Sequence, residues 1–264
     1  MTAPGRRRQR EHDDSANDPT AEDDTSMTAD STSDTITTTH RTRTTAVLFD
    51  IDGTLVDSNF LHIEAWARAF WQCDLEVPAW RIQRAIGADS SELIGSLTDD
   101  DVDEQTRTQL KTLHAKNYAE LGPRLVLLPG ARELVRAIAE RSARVVLATS
   151  APQEELDLLL RVLDLGDAVH AVTSGEDVDT AKPDPGIIAI ALERAEVGPD
   201  DAIMIGDASW DVLAAEKAGL ATVAVLSGGT GEHELRDAGA VAVYDDAAAI
   251  LSDLDGGPVA SLLR

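Results

Sequence analysis

Cys73 is the only cysteine in 264 residues, so no disulfide can close within the chain and a reducing, cytoplasmic setting is expected. That residue reads as a small buried hydrophobe on a helix rather than as a nucleophile. Lysine is almost as scarce, at positions 111, 116, 182 and 217 alone. Aromatic residues make up 3% of a chain that is 43% hydrophobic, so the core must be built from Ala, Val, Leu and Ile. No apolar run reaches the roughly 18 residues that a membrane span requires. Arg6-Arg7-Arg8 is followed by Asp, Ser and Thr where a signal peptide carries its apolar segment, which argues against a secretory signal. Positive charge is short overall: 23 Lys and Arg face 48 Asp and Glu, for a net charge of -25. Such a field repels nucleic acid and anionic lipid, so neither is an expected partner. It repels phosphate esters as well, and a site for one needs its own local cation. An Asp-rich, Lys-poor surface suits high salt, and a high-GC genome produces the same bias.

Residues 1–42 hold fourteen Ser or Thr among scattered acids, with no apolar periodicity. They read as a disordered tail that cannot offset its ordering entropy by burial. Met27 within it offers an alternative start. Beyond the tail, short apolar runs recur at Thr45–Phe49, Val145–Ala148, Ala202–Ile205 and Ala221–Val225, with a weaker one at Ala168–Val172. Helical patterns lie between them, at Ala131–Arg141, Pro152–Leu163, Pro185–Ala195 and Asp211–Ala218. Continuous apolar strands alternating with amphipathic helices predict an α/β fold: a Rossmann-like parallel sheet with helices on both faces. Residues 59–126 break the alternation and read as helices only, an inserted all-helical cap. The catalytic core is expected at 43–58 and 127–264. Ligands of such sheets bind beyond the carboxyl ends of the strands.

Four strand ends carry polar residues. The first runs Asp50-Ile51-Asp52-Gly53-Thr54. Two carboxylates two apart can point into one cleft, and leaving both ionised there is costly, so a cation binds between them or they take different protonation states. Phosphoryl transfer uses that pair, one carboxylate attacking phosphorus and the other moving a proton. Gly53 lets the backbone turn, Thr54 offers a hydroxyl and an N–H, and both are candidate phosphate-binding residues. An acidic strand-to-helix turn with an ordinary N-cap is the plainer alternative. Thr149-Ser150 ends the second strand, where hydroxyls and amides suit phosphate oxygens or simply cap a helix. Lys182 sits between prolines in Ala181-Lys182-Pro183-Asp184-Pro185, held to neutralise a phosphate and an attacking carboxylate together, unless it is a solvated surface lysine. The fourth end, Gly206-Asp207-Ala208-Ser209-Trp210-Asp211, spaces two acids on one helical face and suits Mg²⁺ coordination by hard oxygens.

Taken together, Asp50-x-Asp52-Gly53-Thr54, Thr149, Lys182-Pro183 and Gly206-Asp207-x-x-x-Asp211 resemble the four motifs of the haloacid dehalogenase superfamily, in order, over roughly residues 45–250. The helical insert is similar to the cap of the subgroup holding phosphoglycolate phosphatase and β-phosphoglucomutase. The resemblance implies a Mg²⁺-dependent phosphatase acting on a small phosphate monoester, with Asp50 as nucleophile and Asp52 as general acid and base. Thr149 and Lys182 would hold the transferring group. It implies metal binding by Asp50, the backbone carbonyl of Asp52, and Asp207, with Asp211 supporting the metal shell or Lys182. Dehalogenase relatives lack a general acid at the second Asp, so Asp52 disfavours carbon–halogen hydrolysis. His62 stands where mutase-like relatives carry a histidine, and Trp66 follows one turn later. Arg81, Arg84, Lys111 and Lys116 are the cap's candidate substrate cations, with Arg84 favoured. A phosphomutase and a non-catalytic binding protein remain open as alternatives, and the oligomeric state is undetermined.

Overall fold

The computed structural model describes residues 43–98, 102–178 and 182–264; the stretch 1–42, read above as a tail, lies outside them. The described residues from 43 onward form one compact unit. The chain enters on β1 (Ala46–Phe49) and β2 (Val56–Asp57), then runs through helices α1 (Asn59–Gln72), α2 (Ala79–Ala85), α3 (Ser90–Thr98) and α4 (Glu104–Leu121). After β3 (Val126–Leu127) strands and helices alternate: α5 (Ala131–Glu140), β4 (Arg144–Leu147), α6 (Gln153–Leu163), β5 (Ala171–Val172) and α7 (Gly186–Ala195). The remainder is β6 (Ala202–Gly206), α8 (Ser209–Lys217), β7 (Ala221–Val225), α9 (Glu232–Asp237), β8 (Ala242–Tyr244), α10 (Ala247–Ser252) and α11 (Pro258–Leu263).

The main sheet is parallel, in the order β5-β4-β1-β6-β7-β8. Its side chains alternate between two cores, as the period of two demands. Val47, Phe49, Val145, Leu147, Ile203 and Ile205 face one core, where α5, α6, α10 and α11 pack. Ala46, Leu48, Val146 and Met204 face the other, under α7 and α8. Burial on both faces is why these strands read as unbroken apolar runs. β1 lies between β4 and β6, so the chain order reverses beside its carboxyl end, and a crevice opens there.

Helices α1–α4 enclose a separate cluster of Trp66, Phe70, Ile82, Leu93, Ile94 and Leu110. The opposite edge of α1 and α4, through Leu61, Ala65, Tyr118 and Leu121, joins the main core. Cys73 closes α1 and packs beside the cap cluster. The helical insert does not run to 126 as read from sequence. Val126 pairs with Asp57, and Leu127 with Val56, in a two-stranded antiparallel ribbon that carries the chain into and out of the insert. The weak run Ala168–Val172 forms a strand at Ala171–Val172 alone, after a 3-10 turn at Gly166–Ala168. Among the described residues, no helix is long and apolar enough to cross a membrane.

Candidate active site

Asp50 follows directly on β1, and its N–H continues the ladder to the Ile205 carbonyl at 2.9 Å. The chain then curls tightly: the N–H groups of Thr54, Leu55 and Val56 all point to the Ile51 carbonyl, and that of Gly53 to Val56. Gly53 takes φ +71, and a Cβ there would lie 2.3 Å from Asn59 Nδ2 and 2.7 Å from Asp207 Oδ2. Glycine is required both by the conformation and by the approach. This corrects the sequence reading of Gly53 and Thr54 as phosphate ligands. Their amides serve the turn, and the fully buried Thr54 donates its hydroxyl to Asp207 Oδ1 at 3.2 Å. The turn sets Asp52 and Asp50 side by side in one cavity.

β6 delivers Asp207, and the first turn of α8 delivers Asp211. Asp207 Oδ2 accepts from Asn59 Nδ2 at 2.8 Å. Asp211 accepts the Ala208 N–H at 3.1 Å through Oδ2 and faces Lys182 Nζ at 2.7 Å through Oδ1. Lys182, 3% exposed, also donates to Asp50 Oδ1 at 2.6 Å. Carboxylate oxygens of Asp50, Asp207 and Asp211 lie within 4.8 Å of one another. At the end of β4, the Thr149 hydroxyl accepts the Ala151 N–H at 3.0 Å, which leaves its own proton for a ligand, and Ser150 lines the cavity beside it.

Charge in this cluster is unbalanced, with one ammonium among four carboxylates. Burial, together with Asp211 and Asp52, pushes Asp50 up to about 7 despite Lys182. Burial, then Asp211 and Asp50, push Asp207 well above the ordinary carboxylate range. Burial opposes the Lys182 charge, but Asp211 and Asp50 win and hold it protonated above its usual value. Hard oxygens bearing uncompensated negative charge at this spacing fit a small divalent cation. Asp211 has both oxygens engaged, so its first task here is to hold Lys182.

A family model for haloacid dehalogenase-like hydrolases matches residues 44–219. The chain belongs to that family. Among curated relatives, it is 31% identical to the phosphoglycolate phosphatase of Rhodospirillum rubrum over 214 residues, covering 78% of this chain and 88% of that one. It is 30% identical to a phosphorylated carbohydrates phosphatase of Thermotoga maritima, covering 75% and 93%. A crystal structure of a hydrolase from Pseudomonas syringae superposes with a TM-score of 0.76 at 33% identity, covering 80% of this chain and 98% of that one.

In this haloacid dehalogenase-like hydrolase, Asp52 sits in a setting unlike that of Asp50. Its Oδ1 accepts from Ser58 Oγ at 2.5 Å and faces His62 Nε2 at 3.4 Å. Burial alone would raise its pKa, yet His62 and Ser58 hold it below the ordinary carboxylate value. His62 Nδ1 in turn meets His114 Nε2 at 3.1 Å. Tyr118 stacks on His62 and Trp66 on His114, with centroids 3.9 and 4.2 Å apart. Of the cap cations, Arg84 alone among the described residues lines the cavity; its guanidinium lies 5.7 Å over the Trp80 ring. Arg81 reaches the Ser96 carbonyl, and Lys111 the Ser91 hydroxyl. Sequence reasoning missed Asn59, His114, Glu155 and Gly228. Gly228 packs so closely on Asp207 that a Cβ would fall 1.6 Å from Oδ2.

Proposed function

We propose that this chain is a Mg²⁺-dependent phosphatase that hydrolyses small phosphate monoesters through a phosphoaspartyl intermediate on Asp50. The observation that carries this reading is the pairing of Asp50 with Lys182 at 2.6 Å beside a second carboxylate, Asp52, held by its own hydrogen bonds in the same cavity. An Asp50 oxygen attacks phosphorus as the bond to the leaving alkoxide breaks, and Asp52 gives that alkoxide a proton. Asp52 then takes a proton from water, the water attacks the phosphoaspartate, and inorganic phosphate leaves with Asp50 restored. In the free protein Asp52 is a carboxylate, the form the second step needs. An arriving phosphate dianion raises its pKa, and His62 is the adjacent proton source. Lys182 and the Thr149 hydroxyl hold the transferring oxygens. Mg²⁺, held by Asp50, Asp207 and the Asp52 carbonyl, would supply the positive charge that lets a dianion approach a carboxylate.

Return of the phosphoryl group to a sugar, as in a mutase, passes through a bisphosphate and needs a second anion site. Among the described cap residues Arg84 is the only Lys or Arg that lines the cavity, thin provision for a second phosphate, which favours water as acceptor. The decisive experiment measures inorganic phosphate released from p-nitrophenyl phosphate and a metabolite panel, with Mg²⁺ or EDTA, beside a glucose 1-phosphate conversion assay. Conversion without phosphate release would reverse the order of these readings. Inactivity in both assays with Mg²⁺ would sink catalysis altogether.

A further inference from the structure

Beyond the strand ends, the space between the helical insert and the sheet opens into a cavity of about 600 Å³, within the range of pockets that enclose whole small molecules. Its deep wall includes Glu155, in the first turn of α6, 8% exposed. Among the described residues no hydrogen-bond donor reaches this carboxylate. His114 Nδ1 faces it at 3.6 Å, beyond hydrogen-bond length. His114 brings no counter-charge, because burial and the facing His62 push its pKa down to about 2. Glu155 therefore faces the cavity with its acceptor capacity unused by the protein, and burial raises its pKa, so its charge is costly to hold unless a ligand supplies a donor.

The rest of the lining has a consistent character. Asp89, Glu176 and Glu234 stand around the rim, and Arg84 is the one guanidinium facing them among the described lining residues. Between rim and floor lie hydroxyl and amide groups of Gln83, Ser90, Ser150 and Thr230, beside the apolar surfaces of Ile63 and Trp66. Hydroxyl and amide groups satisfy a ligand's hydroxyls, and the apolar surfaces take its carbon frame. A ligand carboxylate would be desolvated beside Glu155, Asp52 and Asp50, against like charge.

We propose that the cavity selects phosphate esters of a polyol or amino-polyol skeleton, with Glu155 accepting a hydrogen bond from a substrate hydroxyl or ammonium, and disfavours esters that carry a carboxylate. The proposal rests on the phosphatase reading above and narrows it. Glu155 is then a specificity residue: it touches the part of the substrate that does not react, and its charge separates cationic or neutral skeletons from anionic ones.

The test compares kcat/KM for the full chain with Mg²⁺ on glucose 6-phosphate, glucosamine 6-phosphate and 2-phosphoglycolate, with p-nitrophenyl phosphate reporting phosphatase chemistry as such. Both sugar esters should exceed 2-phosphoglycolate by about tenfold or more. In Glu155→Gln the ratio of glucosamine 6-phosphate to 2-phosphoglycolate should fall by about tenfold, since a charged acceptor has become neutral. A preference for 2-phosphoglycolate over both sugars in the unmodified protein would overturn the proposal, and so would an unmoved ratio in the variant. The ranking in the unmodified protein decides the matter if the variant does not fold. Turnover of p-nitrophenyl phosphate with the wrong ranking defeats this proposal alone, whereas no release from any ester defeats the phosphatase reading and this proposal with it.

Discussion

Replacing Asp207 by Asn should stabilise the metal-free protein, although Asp207 is fully hydrogen-bonded. Its carboxylate lies within 4.8 Å of oxygens of Asp50 and Asp211. At an effective dielectric of about 20, each such pair repels by roughly 3–4 kcal/mol. Setting Lys182 against one of the two pairs leaves roughly 3 kcal/mol of repulsion attached to Asp207. An Asn keeps the volume and can place Oδ1 on the Asn59 amide and Nδ2 on the Thr54 hydroxyl. Those contacts lose their charge assistance, at a cost of about 1 kcal/mol. The net gain of about 2 kcal/mol corresponds to a rise in Tm of roughly 4–8 °C for a domain of this size. Saturating Mg²⁺ should lift the unmodified protein, by about 2.7 kcal/mol at a hundredfold excess over Kd, and leave the variant nearly unmoved. The sign with pH is fixed by the raised Asp207 pKa. Its charge destabilises the fold above that raised value, so the gap between variant and parent closes as pH falls toward the ordinary Asp range, about 4. Thermal melts in EDTA and in Mg²⁺, at pH 8 and pH 4, measure all of this. A variant that melts below its parent in EDTA at pH 8, or a parent indifferent to Mg²⁺, refutes the electrostatic account of the cluster.

Three further outcomes follow from the same geometry. Asp50→Asn should abolish turnover with the fold intact, because an amide fills the volume without being a nucleophile; more than trace phosphate release from a pure preparation contradicts that role. Asp52→Asn should slow phosphorylation by about 10²–10⁴-fold with an alkyl phosphate and much less with p-nitrophenyl phosphate, whose leaving group needs no proton. Equal slowing of both in a rapid-quench experiment removes Asp52 as the general acid. Gly228→Ala forces a Cβ to within 1.6 Å of Asp207 Oδ2 unless the loop moves. It should raise the Mg²⁺ concentration that activity requires while far-UV circular dichroism stays the same, and an unchanged Mg²⁺ titration would show that the loop yields freely.

What was legible in the sequence is what is periodic or local. β1, β4, β6 and β7 announce themselves because both of their faces are buried, which leaves runs that are apolar apart from Arg144 at the start of β4 and Thr222 in β7. β8 escapes notice for the opposite reason: it is short, lies at the sheet edge and is only half-buried along its length. β2 and β3 are two residues each, and only their pairing across the insert makes them strands. Motif chemistry is readable where a strand end fixes direction, so Asp50, Lys182, Asp207 and Asp211 are named from sequence and lie in one cluster. Residue type misleads at Gly53 and Thr54, whose polar groups are consumed inside the turn that aims their neighbours.

The resemblance singled out His62, Trp66 and Arg84 on the cap wall of the cavity, but their partners there were illegible because helix packing, not spacing, assembles them. His62 on α1 and His114 on α4 meet at 3.1 Å across 52 residues of sequence, and Glu155 approaches from the sheet side. No pattern in any one helix marks His114 or Glu155, since a buried His or Glu breaks the apolar stripe as a surface residue would. Their burial becomes informative only once the fold shows which polar groups lack a partner. The net charge of -25 then takes on a local meaning. One lysine cannot offset four carboxylates and an incoming dianion, so the site must gain a cation before it can hold a phosphate ester. The same surplus of acid continued along the cavity wall is what separates one skeleton from another.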